Sequence, residues 1–278
     1  MASSIAPNNL LSNAAQSRIC TAFGIKITPD TSIVHIAKAA GYDSLFIDLE
    51  HTAMTIKDAN QLCITANSAG ITPFVRVPHQ CGNGRQVSLI TADPLAGIPL
   101  ESSFWYRIWL TNMMLTDDAL RAINISKYPP MGKRSISAGF PHFEFAPVPT
   151  TTMTAQMNAT GSTVFIMIET ADALAAVDDI AALAGADVLL VGSNDLASEI
   201  GTLGDWDAPC FLAALEKVGA AARKHGKIMG IAGLYHRPDI LERVINEFGA
   251  KWVVGAQDVG LLLQGGTANS ALLRSLQK

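Results

Sequence analysis

Short apolar runs that stop abruptly at a polar or charged residue recur along this chain, and each is followed by a stretch of helical period. The run 43–49 (DSLFIDL) lacks the alternation of a half-exposed strand and passes straight into Glu50 and His51. A strand of this kind is buried on both faces, as in a parallel sheet. Runs at 72–77, 162–168, 188–191, 227–232 and 252–255 read alike, and a first strand fits within 18–28. Between them lie helices with recognisable ends. Asp30 or Thr31 can cap one that turns Ile33, Ile36, Ala37 and Ala40 inward and stops at Gly41. Thr55 can cap 56–68, with Ile56, Ala59, Leu62, Cys63 and Ala66 inward and Gly70 at its end. Helices follow at 117–126, 150–160, 172–183 (Leu174, Val177, Ile180 and Ala181 inward), 209–225, 238–248 and 259–276. Strand–helix alternation over this length predicts an α/β fold, a (β/α)8 TIM barrel made by 1–278 as a single domain. Residues 1–17 are expected to form a loose arm or a short helix. A doubly wound sheet is the other option, but no Gly-x-Gly-x-x-Gly follows the first strand.

The alternation fails around 82–114, where Trp105, Tyr106 and Trp109 cluster without a period. Seven strands are legible elsewhere, so the eighth is expected inside this irregular segment.

Composition narrows the partners. Hydrophobic residues make up 49% and charged ones 16%, enough for a large core, and the net charge of −4 offers no basic face to nucleic acid or anionic membrane. Cys20, Cys63, Cys81 and Cys210 show no CxxC spacing, which argues against a zinc cluster or disulfide framework and fits a reducing compartment. Cys63 and Cys210 read as core positions on helix faces. No apolar run reaches the ~20 residues of a membrane span. Residues 1–17 lack a basic region followed by an apolar core, so a cytoplasmic protein is expected.

Five strand ends carry polar groups: Asp48/Glu50/His51, Arg76, Glu169, Asp195 and Gln257/Asp258. In a barrel these meet at one mouth, the C-terminal end of the strands, where chemistry sits. Glu169 and Asp195 each end a strongly apolar run. Two carboxylates from neighbouring strands suit a hard divalent cation that completes its shell with water and substrate oxygens. Equally, each could cap the helix that follows. Arg76 interrupts the run FVRVP; its guanidinium either pairs with Asp48 or Glu50 or binds a substrate carboxylate. His51 could be a general base oriented by Asp48, or structural. His79, His142 and His236 carry no pattern, and Ser193 lies in no Gly-x-Ser-x-Gly elbow.

Asp48-Leu49-Glu50-His51, Phe74-Val75-Arg76-Val77-Pro78, Tyr128-Pro129-Pro130-Met131-Gly132-Lys133-Arg134, Ile168-Glu169-Thr170 and Gly192-Ser193-Asn194-Asp195-Leu196, in this order, resemble the HpcH/HpaI aldolase family. These are metal-dependent pyruvate aldolases on a (β/α)8 barrel, related to the citrate lyase β subunit, and the Ser-Lys-Tyr-Pro-Pro run is similar to fungal members of the macrophomate synthase type. The resemblance covers 18–80 and 117–278. It implies a lyase that cleaves a 4-hydroxy-2-oxo acid to pyruvate and an aldehyde. Glu169 and Asp195 would hold Mg²⁺, or Mn²⁺ or Co²⁺. Backbone N–H groups near Ser193, Asn194 and Asp195 would bind the substrate carboxylate, Arg76 would stabilise the enolate, and His51, held by Asp48, would move protons, with Glu50 behind them. It also implies a homo-oligomer, a trimer or hexamer, with the helix 259–278 exchanged between subunits.

Three departures stand out. Met167 replaces the Gln usual two residues before the metal-binding Glu, and Ser193 replaces a Pro. The helix, Leu-Asp-x-Gly-Ala turn and Pro-ended strand expected within 82–114 are missing, so the Asp that such a turn lends to a neighbouring subunit has no counterpart here. A shifted frame, a retained intron or alternative splicing over 84–113 would account for the break, and a transcript coding the segment in frame would contradict it. The alternatives to the aldolase are oxaloacetate decarboxylation, with or without macrophomate synthase-like use of the enolate, and a non-catalytic barrel subunit.

Overall fold

The computed structural model describes residues 5–77, 108–110, 116–137 and 139–277. β2 (Ser44–Asp48) is buried at every position, as its unbroken apolar run requires, and pairs in parallel with β1 (Cys20–Ile25) and β3 (Thr72–Arg76). The later strands are β4 (Ile108–Leu110), β5 (Phe165–Ile168), β6 (Val188–Gly192), β7 (Ile228–Ala232) and β8 (Ala250–Gln257). Each pairs in parallel with the next, and β8 pairs with β1, so the pairings run in a ring. The result is a curled, all-parallel, TIM-barrel-like α/β fold. The eighth strand falls inside the irregular segment, as expected: β4 joins β3 and β5 through two residue pairs on each side. The rest of 82–114, with Trp105 and Tyr106, lies outside the described residues, as do Pro78, His79 and Cys81.

Helices follow the strands. α1 (Asn9–Ala15) precedes β1, α2 (Ser32–Ala39) follows it, and α3 (Ile56–Ala69) follows β2. Then come α4 (Thr116–Ser126) after β4 and α5 (Thr150–Gln156), which runs through a π turn into β5. α6 (Ala171–Ala175) and α7 (Val177–Ala182) follow β5; α8 (Ser193–Glu199) and α9 (Pro209–Lys224) follow β6. α10 (Pro238–Asn246) and α11 (Asp258–Ser275) close the order. The start at Thr55 is a capping box: Thr55 Oγ1 accepts the Asp58 N–H at 3.3 Å, and Asp58 Oδ2 accepts the Thr55 N–H at 2.7 Å. Gly70 ends that helix with φ +73°, a conformation that needs no Cβ.

Two apolar shells flank the sheet. Inside it, Phe46, Phe74, Phe165 and Trp252 pack edge to face, with Phe74 and Phe165 centroids 4.8 Å apart. Outside, the buried stripes of the helices cover the strands. Within 5–17 the short helix of the two expected alternatives is the one found, as α1: Leu10 is fully buried with the inner aromatic layer, and Asn8 and Asn9 hydrogen-bond Thr163, Thr160, Asp43 and Gly70.

Some expectations are corrected. α2 buries Ile33, Val34 and Ala37 and leaves Ile36 and Ala40 exposed, because Val34 completes a tighter stripe with its neighbours. The helix expected at 172–183 is broken at Ala176, whose backbone leaves the helical region (φ −89°, ψ 9°). Cys210 is exposed, not core, since the inward stripe of α9 runs through Phe211, Ala214, Leu215 and Val218. No helix among the described residues is long and apolar enough to cross a membrane.

Candidate active site

The β2–β3 register sets Asp48 opposite Arg76 at the C-terminal end of both strands. Arg76 Nε donates to Asp48 Oδ1 at 2.9 Å, Nη2 meets Oδ2, and Nη1 lies 3.3 Å from Glu50 Oε2. Asp48 is 1% exposed and Arg76 9%. Burial works to raise the Asp48 pKa, but the hydrogen bond and charge of Arg76, with the backbone N–H groups of Glu50 and His51, hold it below the usual carboxylate range. Burial likewise works against the Arg76 cation, and Asp48, Glu50 and Glu169 more than offset it, raising its pKa. The guanidinium also lies 5.3 Å from the Phe46 ring centroid. So Arg76 does pair with Asp48 and Glu50. The hydrogen bonds to Asp48 use two of the five N–H donors of a guanidinium, and Glu50 adds an ion pair at Nη1.

Asp48 does not hold the His51 ring. Its Oδ1 accepts the backbone N–H groups of Glu50 (2.9 Å) and His51 (3.2 Å), while the exposed imidazole has Nε2 3.7 Å from Glu50 Oε2. The carboxylate is committed to Arg76, so Glu50 is the acid beside His51.

Glu169 follows β5 and is 4% exposed. The next helix takes its cap from Thr170, whose Oγ1 accepts the Ala173 N–H at 3.1 Å, so Glu169 is not its cap. Its carboxylate lies against Gly192 at the end of β6: a Cβ there would stand 2.8 Å from Glu169 Oε2. Asp195 is in the first turn of α8, exposed, and is not its cap either; that position is Gly192. Asn194 is exposed beside it, whereas Ser193 is 1% exposed with an Oγ that has no hydrogen-bond partner among the described residues. Among those residues no three of His, Cys, Asp and Glu cluster as a metal cage. The donor set is the sparser one that a hard cation accepts, two carboxylates from adjacent strand ends with room for water and substrate oxygens. The residues present therefore fit a divalent cation.

A cavity of about 280 Å³ is lined by His51, Arg76, Ser193, Asn194 and Asp195 among others; Glu169 is not in its lining but lies behind Gly192, which is. Its apolar walls include Phe46 and Met167. Gln257 lines it, but Asp258 does not: Asp258 is buried and its carboxylate accepts the N–H groups of Lys26, Ile27 and Thr28. Two lining residues were missed in the sequence. Lys26 sat inside the first apolar run, though it breaks that run as Arg76 breaks its own; Tyr235 lies on the turn after β7, where no period marks it. Burial raises the Tyr235 pKa against the lowering effects of a Gly233 backbone hydrogen bond and the Arg76 charge.

A parallel, curled α/β sheet whose strand ends bring a carboxylate, a fixed guanidinium and a histidine around one cavity, with the buried Glu169 behind Gly192 at its wall, defines a lyase-type site. The sequence profile of the HpcH/HpaI aldolase/citrate lyase family matches residues 28–264, and the chain belongs to that family. It is 36% identical over 274 residues, 98% of its own length and 97% of the relative's, to the 4-hydroxy-4-methyl-2-oxoglutarate aldolase tasA of Hapsidospora irregularis. Its fold is similar to that of an HpcH/HpaI aldolase from Desulfitobacterium hafniense DCB-2, with a TM-score of 0.78 at 22% identity and 98% of each chain covered. Macrophomate synthase shares the fold with a TM-score of 0.71 at 21% identity, over 100% of this chain and 93% of that one.

Proposed function

We propose that this chain cleaves a 4-hydroxy-2-oxo acid to pyruvate and a carbonyl fragment at the cavity at the C-terminal ends of the strands, on a complete (β/α)8 barrel. The observation that carries the reading is the placement of Arg76, locked by Asp48 and Glu50 and lining the same cavity as Asp195. Glu169 and Asp195 would hold Mg²⁺, or Mn²⁺ or Co²⁺, which when bound polarises the 2-oxo group as a Lewis acid. The remaining N–H donors of Arg76 face the 2-oxo oxygen and stabilise the negative charge that develops there as the C3–C4 bond breaks. The electron pair of that bond passes to the pyruvate fragment as its enolate. His51 takes the proton of the 4-hydroxyl, directly or through a water, so that the departing carbon becomes a carbonyl; Glu50 stabilises the imidazolium so formed. Protonation at C3 then gives pyruvate. Backbone N–H groups at Asn194 and Asp195 and the Ser193 hydroxyl bind the 2-oxo acid carboxylate. Met167 in place of an amide leaves that side of the cavity apolar.

Oxaloacetate decarboxylation would use the same groups. A coupled assay for pyruvate from 4-hydroxy-2-oxo acids and from oxaloacetate, with Mg²⁺, Mn²⁺ or Co²⁺ and again with chelator, separates the two. Metal-dependent pyruvate from the hydroxy acid, abolished in Glu169→Ala, supports the aldolase. Pyruvate from oxaloacetate alone favours the decarboxylase. No pyruvate from a folded protein that binds the metal favours a non-catalytic subunit.

A homo-oligomer belongs to the same reading. Past Leu261 every residue of α11 is exposed, as is Leu276 just after it, with Leu263 at 70% and Leu276 at 69%, an apolar surface suited to a neighbouring copy.

A further inference from the structure

Among the described residues the cavity has two permanently charged cations, and they are in different situations. Arg76 is committed to Asp48 and Glu50. Lys26 lines the same cavity, half-buried, and its ammonium has no carboxylate or carbonyl partner among the described residues. Its backbone, by contrast, is held on all sides. Asp258 accepts the N–H groups of Lys26, Ile27 and Thr28 at 3.0, 3.0 and 2.9 Å, and the Thr52 hydroxyl donates to the Lys26 carbonyl at 2.6 Å. A flexible four-carbon stem therefore swings from a fixed point at the mouth.

Its position in the ring decides what it can meet. Counted either way round, β1 stands four strands from β5, so Lys26 at the end of β1 faces Glu169 at the end of β5 across the mouth. A substrate that places its 2-oxo acid end at Glu169 and Asp195 extends its other end toward β1. A half-buried ammonium without a counter-ion is an unfavourable state that an arriving anion relieves. We infer that Lys26 binds a carboxylate at the far end of the substrate and thereby selects 4-hydroxy-2-oxo acids that carry a second carboxylate over those that end in an alkyl group. This rests on the aldolase reading above.

The test is the ratio of kcat/KM for 4-hydroxy-2-oxoglutarate to that for 4-hydroxy-2-oxopentanoate, which ends in a methyl group. It is measured in the metal-loaded wild type and in Lys26→Met, Lys26→Gln and Lys26→Arg. The wild type is expected to favour the dicarboxylate. Loss of a charge-assisted hydrogen bond lowers that ratio by about tenfold or more in the Met and Gln variants, and Lys26→Arg keeps most of it. A wild type with no preference overturns the proposal without any variant, as does a folded Met or Gln variant whose ratio matches the wild type. Either result leaves the aldolase reading standing. Absence of pyruvate from both substrates overturns the aldolase reading, and the role of Lys26 with it.

Discussion

Asp48 and Arg76 stand opposite each other at the ends of β2 and β3, joined along one edge of the guanidinium by two hydrogen bonds while Glu50 forms an ion pair with Nη1. The pair is almost wholly removed from water, at 1% and 9% exposure. Breaking such a pair by removing one charge leaves the other uncompensated, which typically costs about 3–5 kcal/mol. Because Glu50 remains beside Arg76, Asp48→Asn is expected near the low end, at about 3 kcal/mol. Urea unfolding should show this as a lower midpoint with an unchanged slope.

The same pair fixes a pH dependence. The folded state holds the Asp48 carboxyl below its ordinary pKa, so the unfolded chain binds its proton first as pH falls. The stabilisation is therefore fully present above the unfolded value of about 4 and is lost as pH falls through the lower folded one. The stability difference between wild type and Asp48→Asn should be flat from about pH 5 to 8 and shrink below about pH 4. A difference that changes across neutral pH would contradict the assignment.

Gly192 separates the claim about Glu169 from general stability. A Cβ there would meet Glu169 Oε2 and Met167 Cε, both at 2.8 Å and both the far ends of flexible side chains, and Glu169 Cβ at 3.2 Å, which a small shift accommodates. Gly192→Ala should leave the unfolding free energy within about 1 kcal/mol, since the neighbours can turn aside. Turning the carboxylate aside should weaken metal binding by about 10–100-fold. Mn²⁺ titration of the variant reads this directly.

Helix α11 carries the assembly prediction. Leu263 and Leu273, at 70% and 59% exposure, both lie on its apolar surface. Replacing both with Glu should shift the sedimentation coefficient to that of a smaller species, because charges buried at an apolar interface are strongly unfavourable. An unchanged value would remove α11 from the interface.

Much of this was legible in the sequence because a doubly buried strand announces itself as an apolar run. Glu169 and Asp195 could be found as the residues that end such runs, and Arg76 as the residue that interrupts one. What a single run cannot show is which strand residues stand opposite each other. That Asp48 belongs to Arg76 and not to the His51 ring follows from the β2–β3 register alone. The inward stripe of α2 was misphased for a related reason, since Val34 and Ile36 are equally apolar and only packing distinguishes them. β4 is three residues long, too short for a period to mark it. Lys26 was hidden because the apolar run continues past it to Ile27, so the strand end at Ile25 was not visible in the sequence.

Proton exchange at C3 of pyruvate in D₂O, followed by NMR, tests the central claim most directly, because it requires only the enolate that Glu169, Asp195 and Arg76 are proposed to stabilise. The account predicts exchange that depends on added Mg²⁺ or Mn²⁺, stops with chelator, and falls by about 10²–10³-fold in Arg76→Lys. A folded, metal-binding wild type that exchanges no faster than the buffer control would contradict it.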